Sequence, residues 1–85
     1  MLFKKSAYKV KLKGRSEVEY SEGNKKILMS SEFMEGSSGI VIYSDSIKAW
    51  QTPYEKEKIS NQKKEKIQNN TTEDLKEHGI PVEWV

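Results

Sequence analysis

The chain of 85 residues contains no cysteine, so its fold rests on neither a disulfide framework nor a thiolate zinc site. Small secreted domains commonly depend on such staples, and their absence makes a reducing cytoplasm the expected compartment. Histidine is almost as scarce. His78 stands alone, so a transition-metal site would need carboxylates only, and the Asp and Glu residues show no ligand spacing. Long hydrophobic runs are missing too. The longest, Ile40 to Tyr43, is far too short to span a bilayer, and Met1-Leu2-Phe3-Lys4-Lys5 lacks the apolar stretch of a signal peptide. A soluble chain with no membrane partner is expected.

Catalytic groups are equally hard to find. Gly36-Ser37-Ser38-Gly39 precedes a strand rather than a helix, so it lacks the helix N-terminus that phosphate loops use. No histidine lies near Ser37 or Ser38 in sequence, and His78 at a helix end reads as a capping or solvated group rather than a triad base. The expectation is a protein that is not an enzyme, carries no cofactor or metal, and acts through its surface.

Apolar residues make up 34% of the chain and charged residues 33%, a balance that on composition alone leans toward disorder. Placement argues otherwise, and a single domain over residues 1–85 is expected. Tyr8 to Lys13 alternates apolar and basic residues, the period of a half-buried strand. Glu17 to Tyr20 alternates again, and Ile27-Leu28-Met29 follows Gly23-Asn24. A three-residue loop at Gly14 to Ser16 sets Leu12 opposite Val18 and Val10 opposite Tyr20, with Lys13 facing Glu17 and Lys11 facing Glu19. A two-residue loop at Gly23-Asn24 pairs Tyr20 with Ile27 and Val18 with Met29 on the same apolar face. Tyr8, Val10, Leu12, Val18, Tyr20, Ile27 and Met29 are therefore expected to share one buried face.

Beyond these hairpins, Phe33 and Met34 occupy a loop and either fold onto the core, the favoured reading, or face a partner. Ile40-Val41-Ile42-Tyr43 is apolar on both faces and predicts a central strand covered on both sides. Trp50 stands three residues after Ile47, a spacing that one helical turn would bring together; Trp50 and Trp84 are both expected to be structural. Thr52-Pro53-Tyr54-Glu55 is a helix start signal, but Ser60 is preferred as the cap of the main helix, Asn61 to His78, with at most a turn near Pro53. Ile67, Thr71, Leu75 and His78 form its stripe. Asn69-Asn70-Thr71-Thr72 is poor helix material, and either threonine could cap a fresh start. Gly79 suits the left-handed position after the helix, with Ile80 closing back on Leu75, and Pro81 prevents continuation. Ile80, Val82 and Trp84 then alternate as a last strand, placed at an edge by Pro81. The order is βββ, loop, β, α, β: an α+β fold, a small and mainly antiparallel sheet with one C-terminal helix packed on it.

The formal net charge is +2, and Lys4, Lys5, Lys9, Lys11, Lys13 and Arg15 make the first segment locally basic. A solvated strand face accounts for that cluster. The alternative is a small nucleic-acid-binding module using the lysine-rich first strand beside Phe3 and Tyr8. A single arginine, lysines matched by glutamates in the derived register, and the lack of an aromatic ladder count against it.

From Tyr20 onward the chain resembles the Immunity protein 74 family, small bacterial immunity proteins of polymorphic-toxin and contact-dependent inhibition systems. The resemblance rests on Glu32-Phe33-Met34, Gly39 to Tyr43, Ser46-Ile47-Lys48, Trp50 and Pro53, and continues through Ile59-Ser60, Ile67 and Gly79-Ile80-Pro81-Val82. It implies a cytoplasmic antidote that binds a cognate toxin C-terminal domain and blocks its active site or substrate access. For such a partner, Glu32, Glu35 and Asp45 are the expected polar anchors, ahead of Glu22, because the loop between the third and fourth strands is long enough to present them. Tyr54 is the expected apolar anchor beside them.

Overall fold

Two hairpins built on the expected register organise the molecule. β1 (Tyr8–Lys13) pairs antiparallel with β2 (Glu17–Glu22), with Leu12 opposite Val18 and Lys11 opposite Glu19. β2 pairs with β3 (Lys25–Phe33), with Tyr20 opposite Ile27 and Val18 opposite Met29. At the second turn Gly23 takes φ +61° while Asn24 does not, the pattern of a hairpin turn with Gly in its first central position. The structure is a computed structural model that describes residues 8–36 and 38–85. Phe3, Lys4, Lys5 and Ser37, invoked above, lie outside these residues.

β4 (Ile40–Ile42) adds to β3 antiparallel, and β5 (Val82–Trp84) adds to β4 in parallel after α1 (Asn61–Glu77) crosses over. The result is one five-stranded, mostly antiparallel sheet in sequence order, with a single helix on one face: an α+β fold. Both edge strands, β1 and β5, reach the helix. Val18, Tyr20, Ile27, Met29, Ile40 and Ile42 are buried from the sheet side, and Ile67 and Leu75 from the helix. Each such side chain stabilises the fold by roughly 1.5–3 kcal/mol.

Burial fades toward the edge. Tyr8 and Val10 are only half-buried and Leu12 is exposed, because β1 has a neighbour on one side alone. Glu19 points away from the helix as expected, yet it is nearly enclosed between Lys11 and Leu28 at the middle of β2. The expected double coverage of β4 does not occur. Ile40 and Ile42 are buried against the core, but Val41 is half-buried on the other face, in register between Glu32 and Glu83.

Ile47 and Trp50 both enter the core, but not through a helical turn. A short 3-10 turn, Ser44–Ser46, ends before them, and the chain then runs along the free edge of β3. It is fastened by Tyr43 N–H to the Ser30 carbonyl (3.0 Å), Ser30 N–H to Ser46 Oγ (3.0 Å) and Gln51 N–H to the Lys26 carbonyl (2.8 Å). This segment is what fills the half of the sheet that β4 is too short to flank.

The Ser60 hydroxyl accepts from Lys63 N–H at 3.1 Å and caps α1; around Pro53 there are only turns. The helix is continuous through Asn69–Thr72, because tertiary bonds override weak propensity. Asn70 Nδ2 donates to Tyr20 Oη (3.0 Å) and Trp84 Nε1 donates to Thr72 Oγ1 (2.8 Å). Thr71 is fully buried, and its hydroxyl has no partner among the described residues. His78 leaves the expected stripe: it is the exposed C-cap, with Nδ1 at 2.9 Å from the Asp74 carbonyl. Gly79, at φ +79°, then lets Ile80 N–H reach the Leu75 carbonyl (2.8 Å) and Gly79 N–H reach that of Lys76 (2.9 Å), the double bond of a Schellman closure. No helix of the described residues is long and apolar enough to cross a membrane.

Candidate partner interface

The expected carboxylate anchors stand on three different segments. Glu32, near the end of β3, lies on the face opposite the helix, where Tyr43 Oη donates to Glu32 Oε1 at 3.0 Å. That bond pushes the Tyr43 phenol above its ordinary value, with burial and the Glu32 charge adding to it. Two residues past Tyr43, Asp45 projects from the 3-10 turn, which is held by Ser46 Oγ donating to the Tyr43 carbonyl (2.5 Å) and Ser44 N–H donating to the Val85 carbonyl (2.8 Å). Glu35 is exposed in the turn that follows β3. Tyr43 thus ties Glu32 to the strand that leads into the Asp45 turn, while that turn is anchored at Ser30 and Val85 and Glu35 stands in the turn past the other end of the β3–β4 pairing.

Phe33, the last residue of β3, departs from the core expectation. It is 47% exposed, because β2 stops pairing at Ser30 and leaves only the β1–β2 turn beside β3, through Ser31 N–H to the Ser16 carbonyl (2.9 Å). Met34 is half-buried. Arg15, Glu32 and Phe33 line a shallow open depression. The core reading favoured for Phe33 thus gives way to the alternative weighed beside it, an exposed aromatic, here next to Glu32 and Arg15.

Tyr54 lies elsewhere. It packs half-buried against the core next to Trp50, and Lys25 Nζ sits over both rings at 5.7 and 5.8 Å while pairing with Glu57 at 2.5 Å. Lys25 and Glu32 are seven positions apart on β3, about 23 Å of strand at 3.3 Å per residue. Tyr54 is therefore not beside the carboxylate group.

Behind Tyr54 is a polar network that ties the helix to the sheet. Tyr20 Oη receives the Asn70 amide and donates to Glu22 Oε1 (3.0 Å), while Lys63 Nζ donates to Glu22 Oε2 (2.7 Å). Burial drives the Tyr20 phenol up to about 12; the Asn70 bond opposes this and the Glu22 carboxylate reinforces it. Burial alone would raise the Glu22 carboxyl, but bonds from Lys63 and Tyr20 and the charges of Lys63 and Lys66 outweigh it and hold the group below its ordinary value. The usable signal was Lys63, Ile67 and Asn70 at i, i+4 and i+7, one helix face around a buried isoleucine. Among the described residues no group of three or more His, Asp or Glu is placed to hold a metal ion.

The family model for Immunity protein 74 matches residues 9–85, all but the first eight positions. The chain belongs to the Immunity protein 74 family. Membership carries an immunity role, and with it a cognate toxin partner. Comparison with curated proteins and with solved structures gives no significant match. In this immunity protein the match takes in β1 as well as the region from Tyr20 onward, and nothing in it favours the nucleic-acid-binding alternative.

The Tyr20–Glu22–Lys63 network also gives the immunity protein a defined acid response. Glu22 has a lower pKa folded than unfolded, so its stabilisation is complete above the ordinary value of 4.5 and is lost as pH falls through the folded value. Glu22→Gln should therefore flatten the acid limb of stability against pH, removing about 1 kcal/mol after allowance for solvent screening. Urea midpoints measured from neutral pH downward check this, and parallel curves for variant and wild type would refute it.

Proposed function

We propose that this chain is an antidote that acts in the cytoplasm, binding a cognate toxin domain stoichiometrically and covering its active site or substrate access without turnover of its own. The observation that carries the reading is the family match over residues 9–85. The geometry adds a surface suited to it. Glu32, Glu35 and Asp45 serve as polar anchors, with exposed Phe33 supplying an apolar contact beside Glu32. Tyr54 joins the contact only if the toxin extends along the length of β3. The 3-10 turn and the Tyr43 bond hold two of the three carboxylates on fixed supports, which limits the entropy lost on binding.

Co-expression with the toxin encoded beside it tests the reading: cells should survive with the antidote and die without it, and failure to rescue would refute the assignment. Reversing charge at Glu32, Glu35 and Asp45 together should slow association roughly tenfold at low salt, with little change in dissociation or melting temperature. Association rates measured across ionic strength distinguish this from a loss of folding.

A further inference from the structure

We propose that the groove between the β2–β3 turn and the segment leading into α1 receives an acidic segment of the toxin, whose carboxylate takes the place that Glu57 holds at Lys25. This rests on the toxin-binding reading above and names the chemistry of a second contact. The groove is lined by Gly23, Asn24, Lys25, Tyr54, Lys58 and Lys63, with Glu22 and Glu57 between them. Lys25 is aimed before any partner arrives, since the faces of Trp50 and Tyr54 hold its ammonium at 5.8 and 5.7 Å. Glu57 supplies the third contact, and of the three it is the replaceable one. Its side chain is half exposed and stands on a stretch of turns with no helix or strand to fix it. A carboxylate already occupying that position shows that the site accepts one.

The surrounding charge agrees. Three lysines face two carboxylates, and Glu22 is committed to Lys63 and Tyr20. Lys58 has no ion pair among the described residues, so displacing Glu57 leaves a locally positive groove. The helix charges run against the dipole: α1 has no acid in its first turn, where Lys63 and Lys64 stand, and Glu73, Asp74 and Glu77 lie toward its other end. That distribution does nothing to hold the helix, but it sets Lys63 in the groove, beside Lys25 at the end of β3 remote from Glu32. A partner carrying patches of both signs would be bound in one orientation, which also accounts for an antidote whose net charge is +2.

Carboxylates are favoured over nucleic-acid phosphates because Glu22 remains in the groove and would repel a continuous phosphate backbone, while a single carboxylate on Lys25 and Lys58 avoids it.

Tryptophan fluorescence titration of the full chain, without toxin, with hexa-aspartate and in parallel with a mixed-sequence single-stranded oligonucleotide, tests the groove. Saturable binding of hexa-aspartate is expected. Glu57→Gln should tighten it about fivefold by removing an exposed ion-pair competitor. Lys25→Met with Lys58→Ser should abolish it while leaving the thermal melt nearly unchanged, and should weaken the toxin complex at least about tenfold, the loss expected when charged contacts at an interface are removed. Tighter binding of the oligonucleotide, indifferent to Glu57→Gln, would overturn the proposal in favour of phosphate recognition. No binding of hexa-aspartate by the folded Glu57→Gln variant would also overturn it, as would an undiminished toxin complex in the double variant. Because the titration uses no toxin, its failure leaves the antidote reading intact, and a failed rescue in cells leaves the groove result intact.

Discussion

Val18→Asp is expected to abolish folding. Val18 has no solvent exposure, and it stands in the middle of β2 with Leu12 on one side and Met29 on the other. The substitution removes roughly 1.5–3 kcal/mol of apolar burial. It also forces a carboxyl into the same space, where an unpaired charge costs several kcal/mol more or stays protonated at a comparable cost. Against a total stability of about 5–15 kcal/mol for a domain of this size, that is most of the margin. The contrast is Leu12→Asp. Leu12 faces the same side of the sheet and is the register partner of Val18, yet it is 39% exposed on the edge strand, so its variant should stay folded with a modest loss. Far-ultraviolet circular dichroism with amide exchange on both variants decides the matter. A folded Val18→Asp protein would mean that the core does not lie where the two hairpins put it.

The register of those hairpins was legible because side-chain identity tests it twice. A shift by one residue would set Lys13 opposite Val18, Lys11 opposite Tyr20 and Leu12 opposite Glu19, so one alignment alone satisfies both the charges and the apolar face. The helix ends were legible for a similar local reason: Ser60 and Gly79 each act within one turn of themselves. Local rules failed where distant parts of the chain meet. Four apolar residues in a row at Ile40 to Tyr43 suggested cover on both faces, yet Val41 stands half-buried between two glutamates on the open side. Asn70 and Thr72 weaken an isolated helix, but here they bond to Tyr20, 50 residues away, and to Trp84. Of the expected carboxylate anchors only Glu35 stands in the β3–β4 loop that was to present them: Glu32 belongs to β3, bonded by Tyr43, and Asp45 to the turn after β4. The position of Tyr54 depends on the path of residues 43–51 along β3. That path is set by three bonds between backbone segments far apart in sequence, and no local pattern encodes it.

The same path determines the second large effect, expected for Trp50→Ala. Trp50 is 4% exposed, fills the core beside Ile47 along the free edge of β3, and carries the Lys25 ammonium against its ring. Truncating a buried tryptophan to alanine costs about 3–5 kcal/mol, from lost contacts and from the cavity left behind. For a domain of this length that corresponds to a fall in Tm of roughly 15–30 °C. The loss should come from the core and from the fastening of the 43–51 segment, so the Gln51 amide, bonded to the Lys26 carbonyl, should lose exchange protection early. Affinity for the toxin, measured at a temperature where the variant is still folded, should change much less than stability does. Phe33→Ala is the complementary case. Phe33 is 47% exposed, so its truncation should leave the melt almost unchanged while weakening the complex. If Trp50→Ala instead melts like the wild type and loses the toxin, then Trp50 is a contact residue rather than a core residue, and the edge of β3 is the binding face.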